Sequence, residues 1–303
     1  MKIVILLIVS TFFALQIAAQ NLKAESFFKK SEKFLEQKKL KPALNQINRA
    51  LELENDSAKY FSTKATITGA MNNYKDALSL IKKAIELSPK NAIFIMNRGV
   101  FNLKNENFND ALYDFDQAIL LDETLAKAYA SRAVLRVMQN NMALGLRDLN
   151  MAIKLDPNLA EAYLNRAGLF FYAEEMDKAL EDMNLAVKCD SQNDNLYYSR
   201  ASVKAHLENY HEALEDYNKA IKINSKLYDY YFSRGYVYYK IGEFKKAIKD
   251  YSKAIKLNKN DGPSYLRRAE AKIALKKTAC DDINMAIVLK AEGAEELLNT
   301  HCK

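Results

Sequence analysis

A 34-residue period runs through nearly the whole chain, and it limits the possible folds more than any other feature. Written in rows of 34 from Ala24, the sequence gives seven rows without insertion or deletion, opening at Ala24, Ala58, Ala92, Ala126, Ala160, Asp194 and Tyr228. An eighth row opens at Gly262 and is two residues shorter in its middle. Self-similarity at such a period marks a stacked repeat, in which each unit buries its apolar face only against its neighbours.

The columns of this array have definite sizes. Column 8 is small throughout: Ser31, Ala65, Gly99, Ala133, Ala167, Ala201, Gly235 and Ala269. Column 20 holds Ala43, Ala77, Ala111, Gly145, Ala179, Ala213, Ala247 and, after the deletion, Ala279. Column 27 is alanine from Ala50 to Ala286, and column 4 is bulky from Phe27 to Tyr265. Columns 4, 8 and 11 share one face of a first helix, and columns 20, 24 and 27 one face of a second. Small residues let the two helices approach closely while bulky ones fill the space beside them. Pro89 and Pro157, at column 32, stop the second helix. Gly145 replaces the column-20 alanine and is expected to weaken its helix by ~1 kcal/mol.

These columns resemble the tetratricopeptide repeat family, of an exported bacterial type. The resemblance implies an all-α solenoid of about eight helix-turn-helix hairpins forming a right-handed superhelix, with first helices lining the concave side. The repeats span 24–57, 58–91, 92–125, 126–159, 160–193, 194–227, 228–261 and 262–290, together 24–290. Residues 291–303, with Ala294 to Leu298 as a short helix, read as a C-terminal cap.

The first residues stand apart. Met1-Lys2 is a short basic start, Ile3 to Leu15 is apolar but for Ser10 and Thr11, and Ala19 offers a small residue for cleavage. Residues 1–19 have the layout of a secretory signal peptide, followed by a lead-in at 20–23. Export to the periplasm is the expectation, with the exterior or a membrane anchor as alternatives. Membrane contact is expected only if the segment is retained.

The formal charge is +7, or +6 without Lys2, and basic and acidic residues are interspersed. No Lys/Arg run resembles a nucleic-acid arm, so no nucleic acid is expected as a partner. His206, His211 and His301 have no ligand spacing, and no CxxC, HExxH, glycine-rich phosphate loop or nucleophile elbow occurs. The reading is non-enzymatic, with no metal and no cofactor.

Arginine recurs at column 7 as Arg98, Arg132, Arg166, Arg200, Arg234 and Arg268. Aspartate recurs at column 23 as Asp114, Asp148, Asp182, Asp216, Asp250 and Asp282 in the same six rows. Co-occurrence favours structural ion pairs over a ligand-binding charge ladder, because arginine offers a planar fork to a carboxylate. Cys280 opens the last second helix and Cys302 closes the cap, so a bridge would staple the cap; the alternative is two free thiols. Cys189 is then left over.

The resemblance further implies that columns 2, 5, 9, 12 and 13 face the concave side. Here they give Met96, Val100, Val137, Met138, Leu164, Phe171, Tyr172, Tyr198, Phe232, Tyr236, Tyr239 and Leu266. No row pairs Lys at column 5 with Asn at column 9, the family's clamp for a C-terminal carboxylate, so chaperone tails are not expected. The expectation is a non-catalytic scaffold that binds a peptide or helical segment of a protein partner in this groove, within an envelope assembly. The alternatives are a self-associating tether using an end or the convex face, and a binder of cell-wall glycan. The sequence leaves the oligomeric state open.

Overall fold

A computed structural model describes residues 2–302, and side chains from Gln16 onward apart from Ile17. The segment read as a signal peptide lies almost wholly outside those side chains. The described residues form seventeen helices and no strand, divided between two compact units.

The first unit, Met1–Leu155, holds α1 (Lys2–Glu36), α2 (Leu40–Leu53), α3 (Ala58–Ala70), α4 (Tyr74–Leu87), α5 (Ala92–Lys104), α6 (Phe108–Leu121), α7 (Ala126–Met138) and α8 (Met142–Leu155). They pack as four consecutive hairpins, and α2, α4 and α6 also pack on the first helix of the next hairpin. No break separates the lead-in from the first repeat at Ala24, because α1 runs through it.

The second unit, Asp156–Lys303, holds α9 (Ala160–Tyr172), α10 (Met176–Cys189), α11 (Asp194–His206), α12 (Tyr210–Ile223), α13 (Tyr228–Lys240), α14 (Phe244–Leu257), α15 (Gly262–Ala274), α16 (Cys280–Val288) and α17 (Ala294–His301). Four hairpins again stack in order, and α17 packs against α16. Among the described residues, no helix is long and apolar enough to cross a membrane.

The alanine columns lie where the helices meet. Ala43, Ala77, Ala111, Ala179, Ala213 and Ala247 are all fully buried, as are the column-27 alanines. Gly145 has a different cause from the one its propensity suggests. A Cβ there would stand 2.7 Å from Val137 Cγ2, so the glycine admits a closer approach of α8 to α7. The propensity cost of this glycine is thus set against the packing that an alanine Cβ would disturb.

The turns follow one rule. Lys38, Asn72, Glu106, Asn140, Glu174, Glu208, Gly242 and Lys276 all have left-handed φ, and all occupy column 15. The next residue's N–H then reaches back to column 11, as in Asn107 N to Asn102 O at 2.8 Å and Glu243 N to Tyr238 O at 2.8 Å. This is the Schellman closure of a helix, which satisfies carbonyls the last turn leaves open. Only one of the eight positions carries glycine.

Candidate functional site

The charged columns explain how the hairpins are fastened. Arg132, Arg166, Arg200 and Arg234 each grip the aspartate of their own second helix through Nε and Nη2, at 2.7–2.8 Å. Arg268 holds Asp282 at 2.9 and 2.5 Å, and Arg98 holds Asp114 at 3.1 and 2.5 Å. The six carboxylates are buried, and bidentate pairing compensates for much of the desolvation. Burial alone would raise the Asp282 carboxyl, yet hydrogen bonds from Arg268 and Lys272 outweigh it and hold the group below the usual aspartate range.

The outer Nη1 reaches back to the preceding hairpin. Arg132 bonds Asp116 at 2.7 Å, Arg200 bonds Asn184 at 3.0 Å, Arg234 bonds Asn218 at 2.6 Å and Arg268 bonds Ser252 at 3.0 Å. The bulky column 4 has its use here as well. Tyr129, Tyr163, Tyr197, Tyr231 and Tyr265 lie beneath the guanidinium three residues on, with centroids 5.3–5.8 Å from Cζ.

The residues expected to form a groove divide into two sets. Met96 and Leu266 are buried, and Val100, Leu164 and Tyr239 pack half-buried against the hairpin cores. Val137 meets Gly145. For Met96 and Leu266 the groove expectation is corrected, because packing covers both side chains, whereas Val100, Val137, Leu164 and Tyr239 still reach solvent in part. Tyr198 is also half-buried: its ring stacks 4.8 Å from Tyr230, and its hydroxyl lies 3.3 Å from Ser233 Oγ. Met138 at the end of α7 and Tyr172 at the end of α9 are well exposed.

Phe171, Phe232 and Tyr236 come together. They line a cleft of about 440 Å³ in the second unit, built from α9, α11, α12, α13 and α15. The cleft is half aromatic and half polar. Its floor carries hydroxyls: Ser202 Oγ is 3.2 Å from Tyr217 OH and donates to Tyr198 O at 3.0 Å. Burial pushes the Tyr217 phenol up to about 12, so it stays protonated. The rim carries charge. Lys240 lies over the Tyr236 ring at 5.5 Å, and Arg267 pairs with Glu270 at 2.8 Å. His206 stands edge-on to Phe171 at 5.2 Å.

Sequence reasoning missed Tyr217, Ser202, Ser233 and Arg267. The signal for Tyr217 was present: column 24 is aliphatic, Phe or Met in most rows but Tyr in two, and its polar tip needs a partner. Cys280 and Cys302 are joined by a disulfide, and Cys189 is free. No group of three or more His, Cys, Asp or Glu among the described residues could hold a metal ion.

Comparison with known proteins agrees with this geometry. Tetratricopeptide repeat models match residues 63–133 and 228–261, and a TPR repeat model matches 205–242. No curated protein matches the sequence. Among solved structures, the Cut9–Hcn1 hetero-tetramer of the APC/C is similar over 87% of this chain, with a TM-score of 0.71 and 14% identity. This chain spans 53% of that one. A tetratricopeptide repeat protein from Parabacteroides merdae is similar over 82% of this chain and 99% of its own, with a TM-score of 0.57 and 18% identity. Pseudomonas aeruginosa PilF is similar over 68% of this chain and 94% of its own, with a TM-score of 0.55 and 16% identity. At these identities the likeness is one of fold. With the repeat matched by family models in both units and the hairpin geometry recurring along the chain, the protein belongs to the tetratricopeptide repeat family.

Proposed function

We propose that the protein is a non-catalytic scaffold that holds a segment of a partner protein in the cleft of its second unit. A tetratricopeptide stack is by its nature an interaction scaffold. The observation that carries the reading is the cleft itself, where Phe171, Phe232 and Tyr236 from α9 and α13 face one depression over a floor of hydroxyls. Rings that are already held by packing lose little freedom on binding, and hydroxyls can orient a peptide backbone. Lys240 and Arg267 at the rim would set register.

The setting belongs to the same proposal: an exported, periplasmic protein acting in an envelope assembly. The apolar leader in the sequence supports export, and the Cys280–Cys302 bridge supports an oxidising compartment. The mix of rings and hydroxyls also supports the glycan alternative.

The test is capture from native envelope extract by the full chain, beside a Phe232→Ala/Tyr236→Ala variant whose helicity is checked first. The proposal expects specific proteins that the variant loses. Equal capture by both would remove the cleft from the account, and binding only to cell-wall material would replace the partner with a glycan.

A further inference from the structure

The fastening of hairpin to hairpin has an exception, and it sits at a cavity. Where Arg132, Arg200, Arg234 and Arg268 each find an oxygen on the preceding second helix, Arg98 faces a helix that carries Lys82 at the equivalent column. Arg98 Nη1 has no hydrogen-bond partner among the described residues. No tyrosine lies beneath it either, since Ile95 occupies column 4. Its side chain is 31% exposed, against 12–21% for the other five arginines. Lys82 makes no ion pair among the described residues. Both cations line a crevice of about 410 Å³ between α4, α5 and α6, bordered by Leu78 and the ring of Tyr113.

Charge is distributed to match. Residues 20–91 hold fourteen Lys/Arg against eight Asp/Glu, a net +6, while residues 92–303 hold thirty of each. The excess of residues 20–303 thus lies entirely in the first two hairpins and the residues leading into them, and the second of these hairpins supplies the Lys82 wall of the crevice.

We propose that this crevice is a second docking site, distinct from the cleft, and that it takes a carboxylate side chain of an acidic protein segment. The carboxylate occupies the place that Asp116, Asn184, Asn218 and Ser252 fill elsewhere. It accepts from Arg98 Nη1 and from the Lys82 ammonium; Arg98 is already held at the crevice wall by Asp114, which also lines it, and the exposed Lys82 closes on the carboxylate from α4. Tyr113, which is 61% exposed, covers the chain that delivers it. The field of the basic hairpins draws in acidic segments and rejects basic ones. Asp110 also borders the crevice, and it selects against a second carboxylate at that edge.

The test is fluorescence anisotropy of labelled octaglutamate with the full chain, at low and high salt. Lys82→Asn places in this seam the acceptor that Asn184 and Asn218 supply in others. It should weaken binding by about tenfold, whereas Lys33→Gln, which removes an equal charge from α1, should change it less than about twofold. Because Lys82→Asn also gives Arg98 its missing partner, its melting temperature should rise, so lost binding would not reflect lost fold. An equal effect of the two variants would reduce the site to diffuse charge and overturn the proposal. A lower melting temperature for Lys82→Asn would contradict the vacant acceptor position. Anionic vesicles or duplex DNA binding more tightly than octaglutamate, with no effect of Lys82→Asn, would overturn it in favour of those ligands.

Discussion

The Arg234 guanidinium holds the buried Asp250 carboxylate through two bonds of 2.7 Å, joining the two helices of one hairpin. The same arginine ties that hairpin to the one before through Asn218. Asp250→Ala leaves a largely buried guanidinium unpaired, and the expected loss is about 3 kcal/mol in a urea melt. Replacing both residues by apolar ones, as Arg234→Met/Asp250→Leu, should cost less than the sum of the single changes. A double-mutant cycle that is strictly additive would contradict the pairing.

Gly235 faces Tyr251, and a Cβ there would lie 3.0 Å from the ring. Helix propensity alone predicts that Gly235→Ala stabilises by ~1 kcal/mol. The close approach predicts the opposite, a loss of about 1–2 kcal/mol from overpacking. Adding Tyr251→Leu should relieve it, as thermal melts of the single and double variants will show.

Most of this architecture was legible in the sequence, because each column had one physical task. Small residues at columns 8, 20 and 27 mark helix contacts whatever surrounds them, and the helices begin at Ala58, Ala92 and Ala126 in register with the period. The arginine and aspartate columns announced themselves by recurring in the same rows. The groove was less legible. Column position sets the direction in which a side chain leaves its helix, but Met96 and Leu266 show that the elements packed beside it, the next hairpin for Met96 and α16 and α17 for Leu266, decide whether it reaches solvent. Tyr217 comes to the cleft floor from a second helix, which no pattern confined to first helices could include. The left-handed turn at Glu106, Glu174 and Glu208 was hidden because glycine, its usual marker, is absent there.

The C-terminal bridge closes 22 residues of chain between Cys280 and Cys302. In the chain-entropy account, a loop of that size is worth about 3 kcal/mol. Cys280→Ser should therefore release α17 first. Amide exchange in α17 is expected to speed up far more than in α11 or α13, and uniform acceleration would contradict a local staple.

Acid should act on the last hairpin through Asp282. Its folded-state carboxyl is held below the ordinary aspartate value. The stabilisation is thus complete above about pH 4 and is lost as pH falls through the lowered folded value. Arg268→Met removes the main partner and should flatten the acid limb of stability against pH. An unchanged acid limb in this variant would contradict the assignment.

The central claim, that the cleft of the second unit holds a partner protein, is tested most directly by a photo-crosslinker. Benzoylphenylalanine in place of Phe232, which lines the cleft, is irradiated in native cells beside the same substitution at exposed Lys222 on α12. The account predicts a discrete protein adduct from Phe232 and none from Lys222. Adducts from Lys222 alone, or the same adducts from both, would contradict it.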